Sequence, residues 1–313
     1  MLSSATGVSA CMTTVTIARV AIRSSSTSKW PHFAGSALRG AIGRALRRLV
    51  CITSKPVCDG CMVRTNCAYG MTFSPAALDL TLHPSFKNGL PRYVIDAPAI
   101  GAQTIKPHDT VSFGVVLLPG HGITEGLLAA VMRQAVSAEL FGGGIFSIAS
   151  LEIATADLSC TPSAIENPAI TQYHLRFHSP LRQQQDGEPI RDQRQLTKKI
   201  WMQAMRMRYL QWCQITALPI DATVTAALTD SAVIQFDASD MRWHDMARKS
   251  QNHSPRIPLG GLLGDLFFCV TAKASPSIDP IIRLCETLHI GKETVMGLGA
   301  FKLVSRQKIP AAE

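Results

Sequence analysis

No aspartate or glutamate occurs before Asp59. The acid-free stretch holds Arg19, Arg23, Lys29, Arg39, Arg44, Arg47, Arg48 and Lys55 instead. Other absences narrow the class. No apolar run reaches the roughly 18 residues of a membrane-spanning helix, so no membrane partner is expected. No Gly-x-x-x-x-Gly-Lys-Ser/Thr run is present, which argues against a nucleotide-triphosphate phosphate loop. No secretory hydrophobic region precedes the nine cysteines, an odd count. A disulfide framework is therefore not expected, and a reducing, cytoplasmic setting is.

What is present is basic and apolar. The chain has 313 residues, is 46% hydrophobic and carries a formal net charge of +9. That length supports two domains with sizeable cores. The charge suits a polyanionic partner, or simply a basic soluble protein. The serine- and arginine-rich start also fits a mitochondrial presequence. Against that, Val15 to Arg23 has the pattern of a strand, with Val20 and Ile22 on one face and Arg19, Ala21 and Arg23 on the other.

The chain repeats itself. Gly142-Gly143-Gly144-Ile145-Phe146 and Gly297-Leu298-Gly299-Ala300-Phe301 share the pattern Gly-x-Gly-x-Phe at an offset of 155 residues. Each follows a helical run, Thr124 to Leu140 and Ser277 to Leu288. Each precedes a strand-like run, Ser147 to Ile153 and Lys302 to Arg306. Upstream, Val111 to Leu118 matches Leu266 to Val270, and Arg19 in the first opening strand matches Arg176 in the second. The expected fold is α+β: tandem ferredoxin-like (RRM-like) domains, β-α-β-β-α-β used twice. Their expected bounds are 1–160 and 170–313.

In the first domain, Phe33 to Val50 is expected to be a helix. Leu38, Ile42, Leu46 and Leu49 form its apolar stripe, and Arg44, Arg47 and Arg48 its basic face, for phosphates or for solvent. A cysteine-rich insertion, 51–76, follows. Cys51, Cys58, Cys61 and Cys67 have the spacing C-x6-C-x2-C-x5-C. Four thiolates suit a structural zinc ion, or an iron–sulfur cluster. The irregular outer spacings equally allow a loop with no metal. The other five cysteines, among them Cys11 and Cys160, read as small buried apolar residues.

The second domain is expected to carry a basic helical insertion, 182–212. It holds Arg182, Arg191, Arg194, Lys198, Lys199, Arg206 and Arg208 against Asp186, Glu188 and Asp192. A helix running from Pro189 to Trp212 puts Arg191, Arg194 and Lys198 on one face. Such a face can grip RNA through its phosphates, or be merely solvated. The Gly-rich loop, 289–301, places Lys292, Gly297 and Gly299 where a backbone could line an anion. The glycines follow a helix and open a strand, the reverse of a dinucleotide-binding turn.

These pieces together resemble a known family. Leu38-Arg39-Gly40-Ala41-Ile42-Gly43-Arg44-Ala45-Leu46-Arg47-Arg48-Leu49 runs into the four cysteines and Tyr69, and the chain closes with His289-Ile290-Gly291-Lys292 and Gly297-Leu298-Gly299. This is similar to the CRISPR precursor-RNA-processing endoribonucleases of the RAMP superfamily. The arginine-rich segment makes it most like the branch tied to type IV systems. The resemblance implies cleavage of a repeat hairpin to mature guide RNA by metal-independent attack of a 2′-hydroxyl. It also implies retention of the product in an effector complex with other subunits. No catalytic cofactor is expected. Catalytic candidates are Arg23, Arg39, Arg242 and His32, each arginine being equally suited to positioning a phosphate. A non-catalytic guide-RNA-binding subunit and a zinc-stabilised nucleic-acid-binding regulator are the alternatives.

Overall fold

The computed structural model describes residues 13–97, 101, 103–137, 144–162, 170–248 and 257–309. They form two compact units, the first of 1–158 with 211–218 and the second of 159–210 with 219–313.

The first unit runs β1 (Thr14–Ser24), β2 (Ser28–Trp30), α1 (Gly35–Val50), α2 (Ala68–Phe73), β3 (Tyr93–Asp96), β4 (Gln103–Ile105), β5 (Thr110–Leu117), α3 (Glu125–Ser137) and β6 (Phe146–Asp157). Its four-stranded antiparallel sheet has the order β3-β5-β1-β6. Strand β1 alternates as its sequence dictates: Val20 and Ile22 are buried, while Arg19 and Arg23 stand exposed. The buried face meets Leu38, Ile42 and Leu46 of α1 and Val131, Met132 and Ala135 of α3 in an apolar core. Helix α1 starts at Gly35 rather than Phe33, and its apolar stripe stops at Leu46, since Leu49 is 45% exposed. Arg47 and Arg48 fall in its last turn, where cations offset the negative end of the helix dipole.

The second unit runs β7 (Ile170–Phe177), β8 (Gln184–Gln185), β9 (Glu188–Pro189), α4 (Lys198–Thr216), α5 (Ala222–Ala227), β10 (Val233–Asp237), β11 (Arg242–His244), β12 (Ala247–Arg248), β13 (Ile257–Pro258), β14 (Gly261–Leu263), β15 (Asp265–Val270), α6 (Ser275–Leu288) and β16 (Phe301–Ile309). Its main sheet has the order β10-β15-β7-β16. In both units the strands of the β-α-β-β-α-β repeat therefore line up as second, third, first, fourth. The tandem ferredoxin-like fold and its duplication stand. Gly142 and Gly143 of the first Gly-rich run lie outside the described residues, as does Leu140.

The 182–212 segment differs from expectation. Asp186 and Gly187 both take positive φ, 52° and 87°, and close a two-residue hairpin between β8 and β9. Asp192 then caps a single 3-10 turn, Gln193–Gln195. Helix α4 begins only at Lys198, so Arg191, Arg194 and Lys198 do not share a helix face. Nor is α4 an insertion. Trp201, Met205 and Trp212 are buried along it, with the Trp201 ring edge-on to Phe268 at 5.7 Å and to Phe177 at 6.3 Å. It is the first helix of the second repeat. Among the remaining cysteines, Cys213, Cys269 and Cys285 are buried as expected, Cys160 is half-exposed, and Cys11 lies outside the described residues.

A pH dependence follows from the first unit. The imidazole of His121 accepts the Ile123 N–H at Nδ1 (2.9 Å), and its carbonyl accepts the Thr72 hydroxyl (2.8 Å). Burial, with the nearby Arg92 guanidinium second, holds this histidine below its ordinary value. The unfolded chain thus binds the proton more readily, and stability rises with pH through this window. Chemical denaturation between pH 7 and 5 should show stability falling as pH drops below about 6.5. His121→Gln should flatten that slope.

Candidate nucleic-acid interface

Three of the candidate catalytic residues belong to the first unit, but only Arg23 and His32 lie by the β1–α1 connection; Arg39 is tied to Tyr93, which pairs with Leu117 opposite Thr16, toward the other end of β1. Strand β1 ends at Ser24 and α1 begins at Gly35, and the loop of residues 25–34 joins them. Arg23 is exposed at the last turn of β1, opposite Thr110 of β5 and Ser147 of β6. His32 is exposed just before α1, with its carbonyl accepting the Gly101 N–H at 3.0 Å. Arg39 lies in the second turn of α1. The helix has no side-chain N-cap and no acidic residue in its first turn, so its positive end faces no competing negative charge of its own.

Arg39 is held. Its Nε donates to the Tyr93 hydroxyl at 2.7 Å. Tyr93 stacks on Phe73 at 4.1 Å, Phe73 stacks on Tyr69 at 5.7 Å, and the Arg47 guanidinium lies 5.6 Å from the Tyr69 ring centre. This ladder ties Arg39 to Arg47 along the face of α1 that carries Gly43 between them. A Cβ at Gly43 would come 3.2 Å from the Phe73 ring, so the glycine lets the aromatic ladder lie against the helix. Sequence reasoning missed the ladder. Its only local trace is Tyr69 and Phe73 at i and i+4. Arg44 and Arg48 remain exposed beside it.

In the second unit the Gly-rich loop is clamped rather than open. The N–H of Gly299 donates to Pro180 O (2.9 Å), that of Ile290 to Gly299 O (3.0 Å), and that of Gly297 to Thr294 O (2.9 Å). Gly297 and Gly299 are buried. Their N–H groups serve the fold and are not offered to an anion, which corrects the cradle expected of them. Lys292 is different. Its backbone N–H is fixed on Arg182 O (2.9 Å), and its side chain is exposed.

Around that point basic residues gather. Arg182 donates from Nη1 to Gly260 O at 2.9 Å. A Cβ on Gly260 would strike the Trp243 ring at 2.3 Å, so that ring rests against bare backbone. Arg191 lies over the same ring, 5.2 Å from its centre, a cation–π contact. Arg242, next in β11, is exposed, and donates from Nη1 to Met241 O at 2.8 Å. Arg182 and Arg191 thus gather at a half-exposed tryptophan, with Lys292 fixed by its backbone to Arg182 and Arg242 adjacent in β11. That combination of cations and an aromatic face suits a nucleic-acid strand.

The other basic candidates lie elsewhere. Arg194 is tied to Asp192, whose carboxyl it holds down to about 2. Lys198 reaches Val233 O at 3.2 Å, and Lys199 and Arg206 are exposed on α4. Arg208 is buried, and one nitrogen donates to the Thr294 hydroxyl at 3.1 Å. Burial pushes its guanidinium down to about 10, so it still carries a charge at neutral pH. It braces the Gly-rich loop from within and cannot touch RNA. Its spacing could have shown this: Trp201, Met205, Arg208 and Trp212 fall at i, i+4, i+7 and i+11.

Residues 175–301 match the model of the CRISPR-associated endoribonuclease Cas6. Residues 13–155 match a second model, described as an N-terminal domain. Among solved structures, a Cas6 product complex aligns with TM-score 0.55 and 13% identity, covering 93% of this chain and 100% of that one. Thermus thermophilus Cas6 aligns with TM-score 0.53 and 13% identity over 92% and 97%. A partial Cas6-RT-Cas1–Cas2 complex aligns with TM-score 0.57 and 12% identity over 96% and 47%. At these identities the likeness concerns the fold. No curated protein matches the sequence. No helix among the described residues is long and apolar enough to cross a membrane.

Proposed function

We propose that this chain is a structure-specific endoribonuclease that cuts CRISPR repeat hairpins in precursor RNA and keeps the product as a guide-RNA-bound subunit. The match of residues 175–301 to an endoribonuclease family model carries this reading. The basic surface of Arg182, Arg191, Arg242 and Lys292 supports it, because a hairpin presents closely spaced phosphates.

The chemistry needs no metal. The 2′-hydroxyl upstream of the scissile bond attacks the neighbouring phosphorus, the P–O5′ bond breaks, and a 2′,3′-cyclic phosphate and a 5′-hydroxyl result. His32 is the side chain at the first unit's site that can carry a proton to or from these oxygens. Arg23 stays charged and stabilises the crowded, negative phosphorane. Arg39, the further catalytic candidate, is held by Tyr93 and suits positioning of a flanking phosphate. Arg242 fits RNA positioning, since it is exposed in the same short strand as Trp243.

Incubation of purified protein with an end-labelled repeat hairpin in EDTA tests the proposal. Cleavage at one site supports it. Tight binding without cleavage makes the chain a guide-RNA-binding subunit, and loss of binding on metal removal makes it a metal-dependent regulator.

Two arginines separate surface from core. Arg191→Ala should weaken hairpin binding several-fold and reduce the salt slope of log K by about 1, leaving the thermal midpoint in place. Arg208→Ala should lower the midpoint and leave the salt slope unchanged. The paired measurements are salt-dependent binding and thermal melting.

A further inference from the structure

We propose that Cys51, Cys58, Cys61 and Cys67 bind one structural zinc ion as four thiolates, fastening the end of α1 to the start of α2. All four are half-exposed free thiols, and all four line one small pocket together with Arg47, Lys55, Arg64 and Tyr69.

The local backbone has the form such a site uses. The Cys61 N–H turns back to Cys58 O at 3.1 Å, and the Arg64 N–H to Cys61 O at 3.1 Å. Gly60 supplies the positive φ, 66°, between the two cysteines. The Thr53 hydroxyl lies 3.8 Å from the Cys51 sulfur and 3.7 Å from the Cys61 sulfur, so one side chain bridges two of the four. Among the described residues no three donors are gathered closely enough to hold an ion as they stand. The thiols must close inward. The 51–67 segment can do so, because its one regular element is the 3-10 turn Arg64–Asn66.

Charge and packing point the same way. A zinc ion with four thiolates carries a net charge of about −2. Arg64 is paired with Asp59 at 2.7 Å, which leaves Arg47 and Lys55 to offset that charge. The loop has little apolar anchoring: Ile52 is 81% exposed, Val57 60% and Met62 95%. Cys51 directly follows α1, and Cys67 directly precedes α2, whose Tyr69 and Phe73 carry the ladder to Arg39. The ion would therefore hold that ladder in place. The inference does not depend on RNA cleavage.

Elemental analysis of the purified full-length chain under reducing conditions tests it. One zinc per chain, released stoichiometrically by a thiol-blocking mercurial, is expected. Replacement of zinc by cobalt should give the visible bands of a tetrahedral cobalt thiolate. Cys58→Ser and Cys61→Ser should each remove the metal, and Cys160→Ser should not. Should the serine variants fail to fold, the cobalt spectrum of the unaltered chain decides. Sub-stoichiometric zinc after reconstitution, a cobalt spectrum lacking thiolate character, or iron and sulfide in place of zinc would each overturn the proposal.

Discussion

Arg23→Ala is expected to slow single-turnover cleavage of the repeat hairpin by about 100-fold or more, the usual cost of one removed transition-state donor. Binding of the uncut hairpin should change by no more than roughly threefold, since an interaction made mainly in the transition state contributes little to ground-state affinity. The physical case rests on position. Arg23 is exposed at the end of β1, its guanidinium makes no hydrogen bond or ion pair among the described residues, and His32 lies on the connection that leaves that end. Arg23→Lys should recover only part of the rate, because an ammonium cannot offer two parallel donors to a phosphate. A parallel fall in binding and cleavage would reassign Arg23 to phosphate positioning.

Gly299→Ala is expected to be the most damaging glycine-to-alanine change among the described residues. Gly299 has φ 71°, where an L side chain is strained. The added Cβ would sit 1.7 Å from Ile290 O and 2.8 Å from its carbonyl carbon. That oxygen is backbone, so relief requires the loop itself to move. Its movement would break the Gly299 bond to Pro180 and the Ile290 bond to Gly299. A loss of about 4 kcal/mol, or failure to accumulate as folded protein, is expected. For a unit of this size that corresponds to a fall in thermal midpoint of roughly 10 °C. Gly187→Ala is the control. It also has positive φ, 87°, but meets nothing within 4 Å, so it should cost only about 1 kcal/mol.

The fold was legible where burial follows local period. The alternation of β1, the apolar stripe of α1 up to Leu46 and the paired Gly-x-Gly-x-Phe runs all led to a duplicated ferredoxin-like chain. Helix α4 was misjudged because Pro189 was taken for a first-turn residue. The Asp186-Gly187 pair three residues earlier is a hairpin signal, and it turns Pro189 into the end of a strand. With α4 part of the core, the arginine-rich insertion that suggested the type IV branch is not there, and nothing else in the fold favours that branch.

The site was legible only in part. Arg23 and His32 lie by one strand-to-helix connection, a local property, whereas the tie of Arg39 to Tyr93 spans 54 positions and has no local signal. The contact of Arg191 with Trp243 joins residues 52 positions apart through a small two-stranded sheet, and no periodicity announces it. The Gly-rich loop looked like an anion cradle because glycine permits both close ligand approach and close backbone packing. Distances to Ile290 and Pro180 decide for packing, and leave Lys292 as the loop's contribution to the basic surface.

The most direct test of the function is a repeat hairpin with a single 2′-deoxy substitution immediately upstream of the cut. The deoxy hairpin should bind as tightly as the all-ribose one and remain uncut in EDTA, while the all-ribose product ends in a 2′,3′-cyclic phosphate. Cleavage of the deoxy hairpin at the same position would contradict attack by the 2′-hydroxyl.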